Sequence, residues 1–349
     1  MKRVWLPFLG ASAAVGISLA LSAPAQFYHR EDLLSDGAVP APNVNPNLVN
    51  PWGLAASDTS PFWISNQGTG TSSVVDGEGV AVLPDVAVPA DRSGNPTGIV
   101  FAGGDGFEVS GGGVTGPSIF LFVTLEGRII GWNPDVSLAD AMVAVDLRGT
   151  GATYTGAALA ESNGERFLYV ANFGEGRVDV FDSAFASVDS FTDENVPANF
   201  EPFGITTIDG QLYVTFAERD PATGLSVAGP SKGFITVFDA DGSIDQRLIS
   251  RGELNAPWGL VVAPGGFGRF SHKLLVGNFG DGRILAYNIH NGRFRGALED
   301  ESGEPIVIPG IWGLLFGNGV AGGDPKDLYF TAGIEHETHG VFGEIEVEH

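Results

Sequence analysis

Short apolar runs with alternating polar positions, separated by glycine-containing turns, recur along the whole chain, and almost no stretch carries the 3.6-residue period of an amphipathic helix. A motif built on a fixed glycine appears six times: Pro51-Trp52-Gly53-Leu54, Pro96-Thr97-Gly98-Ile99, Tyr154-Thr155-Gly156-Ala157, Pro202-Phe203-Gly204-Ile205, Pro257-Trp258-Gly259-Leu260 and Ile311-Trp312-Gly313-Leu314. Its glycines lie 45 to 58 residues apart, a period that fits propeller blades better than the shorter helical repeats. Each copy precedes a second apolar run, such as Phe167-Leu168-Tyr169-Val170. A glycine-rich turn then leads into a third, alternating run, such as Arg177-Val178-Asp179-Val180-Phe181. Antiparallel meanders follow from this order, and the whole pattern predicts an all-β fold: a six-bladed β-propeller of four-stranded blades.

Closure tests the count. Only 36 residues follow Gly313, too few for a full repeat, so the last blade needs a strand from elsewhere. The segment Phe27 to Ser35 is the expected donor; pairing it into blade six joins the two ends of the domain and hides free strand edges. Residues 26–349 then form a single domain. Val39 to Asn50 is read as the approach to blade one, and Gly103 to Gly116 as a long loop inside blade two.

Composition narrows the chemistry. With no cysteine, the chain has no disulfide, thiol nucleophile or cysteine-type zinc site. Residues 1–25 have the pattern of a signal peptide: Lys2 and Arg3, an uncharged apolar stretch from Val4 to Leu21, and the small-x-small ending Ala23-Pro24-Ala25. Cleavage after Ala25 is expected; the alternative is a retained anchor, because the stretch is close to spanning length. An exported protein, periplasmic or extracellular and not inserted in the membrane after cleavage, follows. Its net charge of −24 becomes two units more negative once Lys2 and Arg3 are removed. Such a surface repels nucleic acid and anionic lipid, and it suits a soluble monomer.

Several segments resemble a known family. Asn47-Leu48-Val49-Asn50-Pro51-Trp52-Gly53-Leu54, Val170-Ala171-Asn172-Phe173, Asn255-Ala256-Pro257-Trp258-Gly259-Leu260, Leu275-Val276-Gly277-Asn278-Phe279-Gly280-Asp281-Gly282-Arg283 and Ile311-Trp312-Gly313-Leu314-Leu315-Phe316-Gly317-Asn318-Gly319 are similar to an uncharacterised family of exported bacterial six-bladed propellers, some with PEP-CTERM sorting tails. The resemblance implies export and the propeller fold, and brings no activity or catalytic residue. More distantly the blades resemble NHL-type propellers, a fold that hosts binding modules as well as lactonases and lyases.

Candidate sites come from polar residues at equivalent blade positions. Asn66, Asn172 and Asn278 end the second strands of blades one, three and five, where Leu125, Phe216 and Ala332 stand in the other three. If they face the axis, their carbonyl oxygens suit Ca²⁺ beside a carboxylate, and the six-bladed lactonases that the fold resembles hold a metal at the channel mouth in a similar way. The alternative is that each asparagine caps its own glycine hairpin. Glu337 and His339, in Glu335-His336-Glu337-Thr338-His339-Gly340, are candidate general bases; a polar hairpin loop is the plainer reading. Other signals fail. Gly111 to Gly116 fits G-x-G-x-x-G but precedes a strand instead of opening a helix. Asp239-Ala240-Asp241-Gly242 lacks the closing glutamate of a calcium loop. Trp52, Trp258 and Trp312 are expected to fill inter-blade wedges rather than to form a sugar-stacking platform.

Two functions remain: a non-catalytic binding or scaffold propeller for a glycan, protein or small molecule, or a Ca²⁺-dependent hydrolase or lactonase-like enzyme at the channel mouth. The second needs an acid converging with the asparagines.

Overall fold

The structure, a computed structural model, describes residues 1–2 and 26–348, so the apolar stretch and cleavage motif of the expected signal peptide lie outside the described residues. It is a six-bladed β-propeller. Five blades are four-stranded antiparallel sheets that run in sequence order from the axis outward; blade three, for example, is Tyr154–Ser162, Glu165–Asn172, Arg177–Asp182 and Ser187–Phe191. Blade six takes Ile311–Phe316, Leu328–Ala332 and Val341–Glu348 from one end of the domain and Phe27–Ser35 from the other. The donated strand pairs antiparallel from Phe27 opposite Glu348 to Ser35 opposite Val341, which confirms the predicted closure. Asn43–Val44 adds a short parallel fifth strand to this sheet. Among the described residues no helix is long and apolar enough to cross a membrane.

Two local expectations change. The long loop of blade two contains its own hairpin, Glu108–Gly111 paired with Val114–Pro117, and the glycine-rich motif forms its turn. Register also makes Thr124, not Leu125, the blade-two counterpart of Asn66: Thr124 pairs with Pro96 as Asn66 pairs with Pro51. A one-residue slip reverses which side of a strand a residue occupies, and Leu125 indeed packs on the axis.

The six repeat glycines explain how the ring closes. A Cβ on Gly53 would lie 2.4 Å from Thr97 O, on Gly98 2.6 Å from Ala157 N, on Gly156 3.2 Å from Ile205 N, on Gly204 2.3 Å from Trp258 O, on Gly259 2.3 Å from Trp312 O, and on Gly313 2.8 Å from Trp52 O. Each innermost strand thus touches the backbone of the next blade, and blade six returns to blade one. Threonines reinforce the seam, with Thr97 Oγ1 donating to Tyr154 O at 2.7 Å. Outside this ring, apolar side chains from neighbouring sheets fill the wedges, as where Trp63, Phe120 and Trp132 meet between blades one and two.

The contacts predict graded tolerance. Gly259→Ala drives a methyl into a carbonyl and should lose about 1–3 kcal/mol of stability. Gly156→Ala meets the backbone of Ile205 and Gly204 only at 3.2 and 3.3 Å, a contact that a small shift relieves, and should cost less than Gly259→Ala, since alanine also restricts the unfolded chain. Urea denaturation of the two variants, read by its midpoint, checks the order.

Candidate functional site

The residue before the repeat glycine carries a large ring in four blades, and those rings meet on the propeller axis. Trp52 stacks on Trp312 with centroids 3.5 Å apart, Trp258 stands edge-on to both at 5.9 and 5.7 Å, and Phe203 lies 6.3 and 5.8 Å from the same pair. Phe279 stacks on Trp312 at 4.1 Å, and Phe173 and Leu125 join the cluster. Side chains from all six blades therefore form a plug. The expectation of inter-blade wedges was right about burial, with Trp52, Trp258 and Trp312 only 5%, 9% and 1% exposed, and wrong about place. The inner strands are too close-packed at their glycines to admit an indole between them, so the rings turn to the axis. Trp258 Nε1 donates to Thr155 O at 2.9 Å and Trp312 Nε1 to Asn50 Oδ1 at 3.1 Å. Beyond the plug, the channel is a cavity of about 350 Å³ walled by the six inner strands, with no charged side chain among the described residues that line it.

A polar rim surrounds the plug, on the loops that lead into the first strands and join the second strands to the third. Asn50 Nδ2 donates to Glu337 Oε2 at 3.0 Å and to Gln67 Oε1 at 2.8 Å. Gln67 Nε2 donates to Asn95 Oδ1 at 3.0 Å, and Asn95 Nδ2 donates to Glu126. One side-chain chain thus crosses blades six, one and two. On blade four, burial raises the Glu201 pKa against the opposing pull of Arg219, whose Nε is buried without a hydrogen-bond partner among the described residues.

The structure separates the residues singled out in the sequence. Asn66, Asn172 and Asn278 are fully buried, each in its own blade. Asn172 donates to Glu175 and Asp179 and accepts from the Thr153 and Glu175 amides. Asn278 accepts from the Asn255 amide and donates to Glu253 O. Asn66 donates to Thr71 and Ser73, while its Oδ1 has no partner among the described residues. Because Phe173 and Phe279, one residue further on, belong to the axial plug, strand alternation turns the asparagines before them away from the axis.

Glu337 and His339 do reach the rim, on the blade-six loop from Gly333 to Gly340. Glu335, His336 and Glu337 take consecutive left-handed conformations, with φ of 50°, 58° and 65°. For residues with a Cβ this costs on the order of 1–2 kcal/mol each, so the surroundings must hold the turn. Glu337 remains solvent-accessible, and partial desolvation raises its pKa although the Asn50 hydrogen bond opposes the shift. His339 Nδ1 lies 2.6 Å from Asp36 Oδ2, and that hydrogen bond raises the imidazole pKa. Sequence reasoning missed Asp36, Asn50, Gln67, Asn95 and Glu126. Asn50 lies within the motif at residues 47–54; the others carry no local signal, since only the packing of blades six, one and two brings them together.

The opposite end of blade six holds a second polar feature. Carboxylate oxygens of Asp327, Glu344 and Glu346 lie within 4.8 Å of one another, an all-oxygen donor set of the kind that suits Ca²⁺ or another hard cation. Burial, followed by the neighbouring acids, pushes Asp327 up to about 6; burial pushes Glu344 up to about 7, with Tyr329 hydrogen bonding against the shift and Glu346 and Asp327 adding to it. Asp327 begins the strand whose far end, Ala332, leads to the Glu337 loop, so this cluster and the rim are a strand length apart.

Raised carboxylate pKa values mean that the folded state holds protons the unfolded state has released. Without divalent cations, the contribution of this cluster to stability is present at about pH 4 and is lost as pH rises toward 7. Glu344→Gln should flatten that part of the pH profile of the melting temperature, measured in chelator; an unchanged slope would contradict the assignment.

No family model matches the sequence. Protein R648 of Acanthamoeba polyphaga mimivirus is 33% identical over 322 residues, covering 90% of this chain and 78% of that protein; protein L690 of the same virus is 32% identical over 324 residues, covering 90% and 84%. Both are uncharacterised. Among solved structures, virginiamycin B lyase from Staphylococcus aureus matches with a TM-score of 0.52 at 15% identity, covering 92% of this chain and 99% of that one. A protein of unknown function from Bacteroides thetaiotaomicron matches with a TM-score of 0.55 at 11% identity, covering 93% and 77%. At such identities the structural matches speak to the fold alone. On the sequence matches, the chain belongs to the same family as the mimivirus proteins R648 and L690.

Proposed function

We propose that this chain is an exported propeller that binds a neutral polyhydroxylated ligand, a glycan, on the rim around the aromatic plug, without transforming it. The observation that carries this reading is the hydrogen-bonded chain Glu337–Asn50–Gln67–Asn95–Glu126 beside a floor where Phe279 and Leu125 remain partly accessible. Amides and carboxylates pair with hydroxyls, and aromatic faces take the C–H faces of a sugar ring. An all-carboxylate surface would attract cations instead, while the amides here supply both donors and acceptors. Export rests on the Lys2–Ala25 pattern and the resemblance to exported bacterial propellers; the matching relatives are viral, so the bacterial part rests on the motifs.

The second reading, a Ca²⁺-dependent hydrolase with Glu337 or His339 as base, draws on the Asp327–Glu344–Glu346 cluster as a cation holder. Geometry favours binding. The three carboxylates stand at the other end of blade six from the candidate bases, Asn172 and Asn278 have both amide atoms hydrogen-bonded, and Asn66, whose Oδ1 alone lacks a partner among the described residues, lies in a different blade from either.

Glycan-array screening followed by calorimetry tests the choice. Binding of a soluble neutral oligosaccharide is expected, weakened about tenfold or more by Glu337→Ala or Gln67→Ala and unaffected by Glu344→Gln. No glycan binding, or equal affinity in every variant, would contradict it; Ca²⁺-dependent ester or lactone hydrolysis lost in Glu344→Gln would install the second reading.

A further inference from the structure

We infer that His339 is the positioning residue for Glu337: clamped by Asp36, it latches the left-handed turn, and the latch loosens when the imidazole loses its proton. This rests on the reading that Glu337 belongs to the ligand-binding rim.

The loop is pinned at both ends and strained between them. Gly340 sits so close to Leu48 O that a Cβ there would lie 1.9 Å away, and Gly333 is similarly pressed against Asn50 Oδ1 at 2.0 Å. Backbone bonds tie its closing end: Asn50 N donates to His339 O at 3.3 Å, Asp36 N to Gly340 O at 3.2 Å, and His339 N to Ile334 O at 3.2 Å. Side chains hold the middle. Thr338 Oγ1 donates to Glu335 O at 2.7 Å, and Glu337 accepts from Asn50. His339 bridges two carboxylates, with Nδ1 at 2.6 Å from Asp36 and Nε2 at 3.7 Å from Glu335.

The chemistry of imidazole makes this bridge depend on a proton. As imidazolium, His339 offers an N–H to each carboxylate. Neutral, it keeps one N–H; the buried Asp36 side chain, 7% exposed, holds it at the shorter contact, and Glu335 then faces a lone pair. Asp36, from the segment after the closing strand, and Glu335, from the turn itself, are the charged groups that act on His339. Asp36 raises the imidazole pKa, so the latch is tight below that value and slackens as pH rises through it. The movement has a path to the plug. Glu337 binds Asn50 Nδ2, and Asn50 Oδ1 accepts from Trp312 Nε1.

NMR titration of the protein without ligand tests the latch independently of whether a glycan binds. The His339 ring, the Asn50 side-chain amide and the Trp312 indole N–H would be followed with pH in wild type, Asp36→Asn and Glu337→Gln. The Trp258 indole N–H, bonded to Thr155 in blade three, reports that each variant is folded. The Asn50 and Trp312 signals are expected to shift with the His339 midpoint, which lies above the ordinary 6.5. Asp36→Asn should lower all three midpoints together. In Glu337→Gln, which removes direct titration of that carboxyl, the Asn50 amide should still follow His339 through the loop. Flat Asn50 and Trp312 signals across the His339 titration, or a His339 midpoint unmoved by Asp36→Asn, would overturn the proposal.

Discussion

Contact between neighbouring inner strands at the six repeat glycines sets the geometry of everything else. Without a Cβ at Gly53, Gly98, Gly156, Gly204, Gly259 and Gly313, each first strand can lie against the backbone of the next blade. The ring this makes is narrow and leaves no inter-blade space near the axis for an indole. The rings of Trp52, Phe203, Trp258 and Trp312 consequently converge at one end of the channel, where they stack and cross edge-on. Fully burying such side chains contributes roughly 1.5–3 kcal/mol each by transfer alone, and aromatic pairs add to that. The packing that closes the ring thereby also builds the floor of the candidate site.

Closure by a strand from the other end of the domain has a second consequence. Phe27–Ser35 completes blade six, and the next residue, Asp36, lands beside His339. The segment that follows delivers Asn50 between Gln67 and Glu337, and under Trp312. Rim and closure are one construction: displacing the donated strand would remove a carboxylate from the site as well as a ladder from the sheet.

The fold was legible in the sequence because it is periodic. The glycine motif marked the blades, and the shortfall after Gly313 called for the N-terminal strand. Periodicity speaks poorly of positions on either side of one residue, and the site depends on those. Asn172 and Phe173 are neighbours in sequence, yet one turns into its hairpin and the other to the axis; Leu125 and Thr124 exchange roles through register. Trp52 was recognised as buried from its place beside a glycine, but the direction of its burial depends on the spacing between blades. Glu337 and His339 stood out as a polar cluster. Their partners Asp36 and Asn50 are distant in the chain and unremarkable locally, so only the closed ring reveals them. The Asp327–Glu344–Glu346 cluster likewise arises from strand pairing, with no local spacing to announce it.

Convergence of the tryptophans on the axis is the claim on which the rim, the floor and the latch all rest. Nuclear Overhauser contacts among the indole protons of Trp52, Trp258 and Trp312, in protein carrying labelled tryptophan, test it directly. The packing predicts strong cross-peaks between Trp52 and Trp312, whose ring centroids are 3.5 Å apart, and measurable ones from Trp258 to both. Indoles that show contacts only to aliphatic residues of adjacent blades, and none to one another, would return the rings to the wedges and contradict the account.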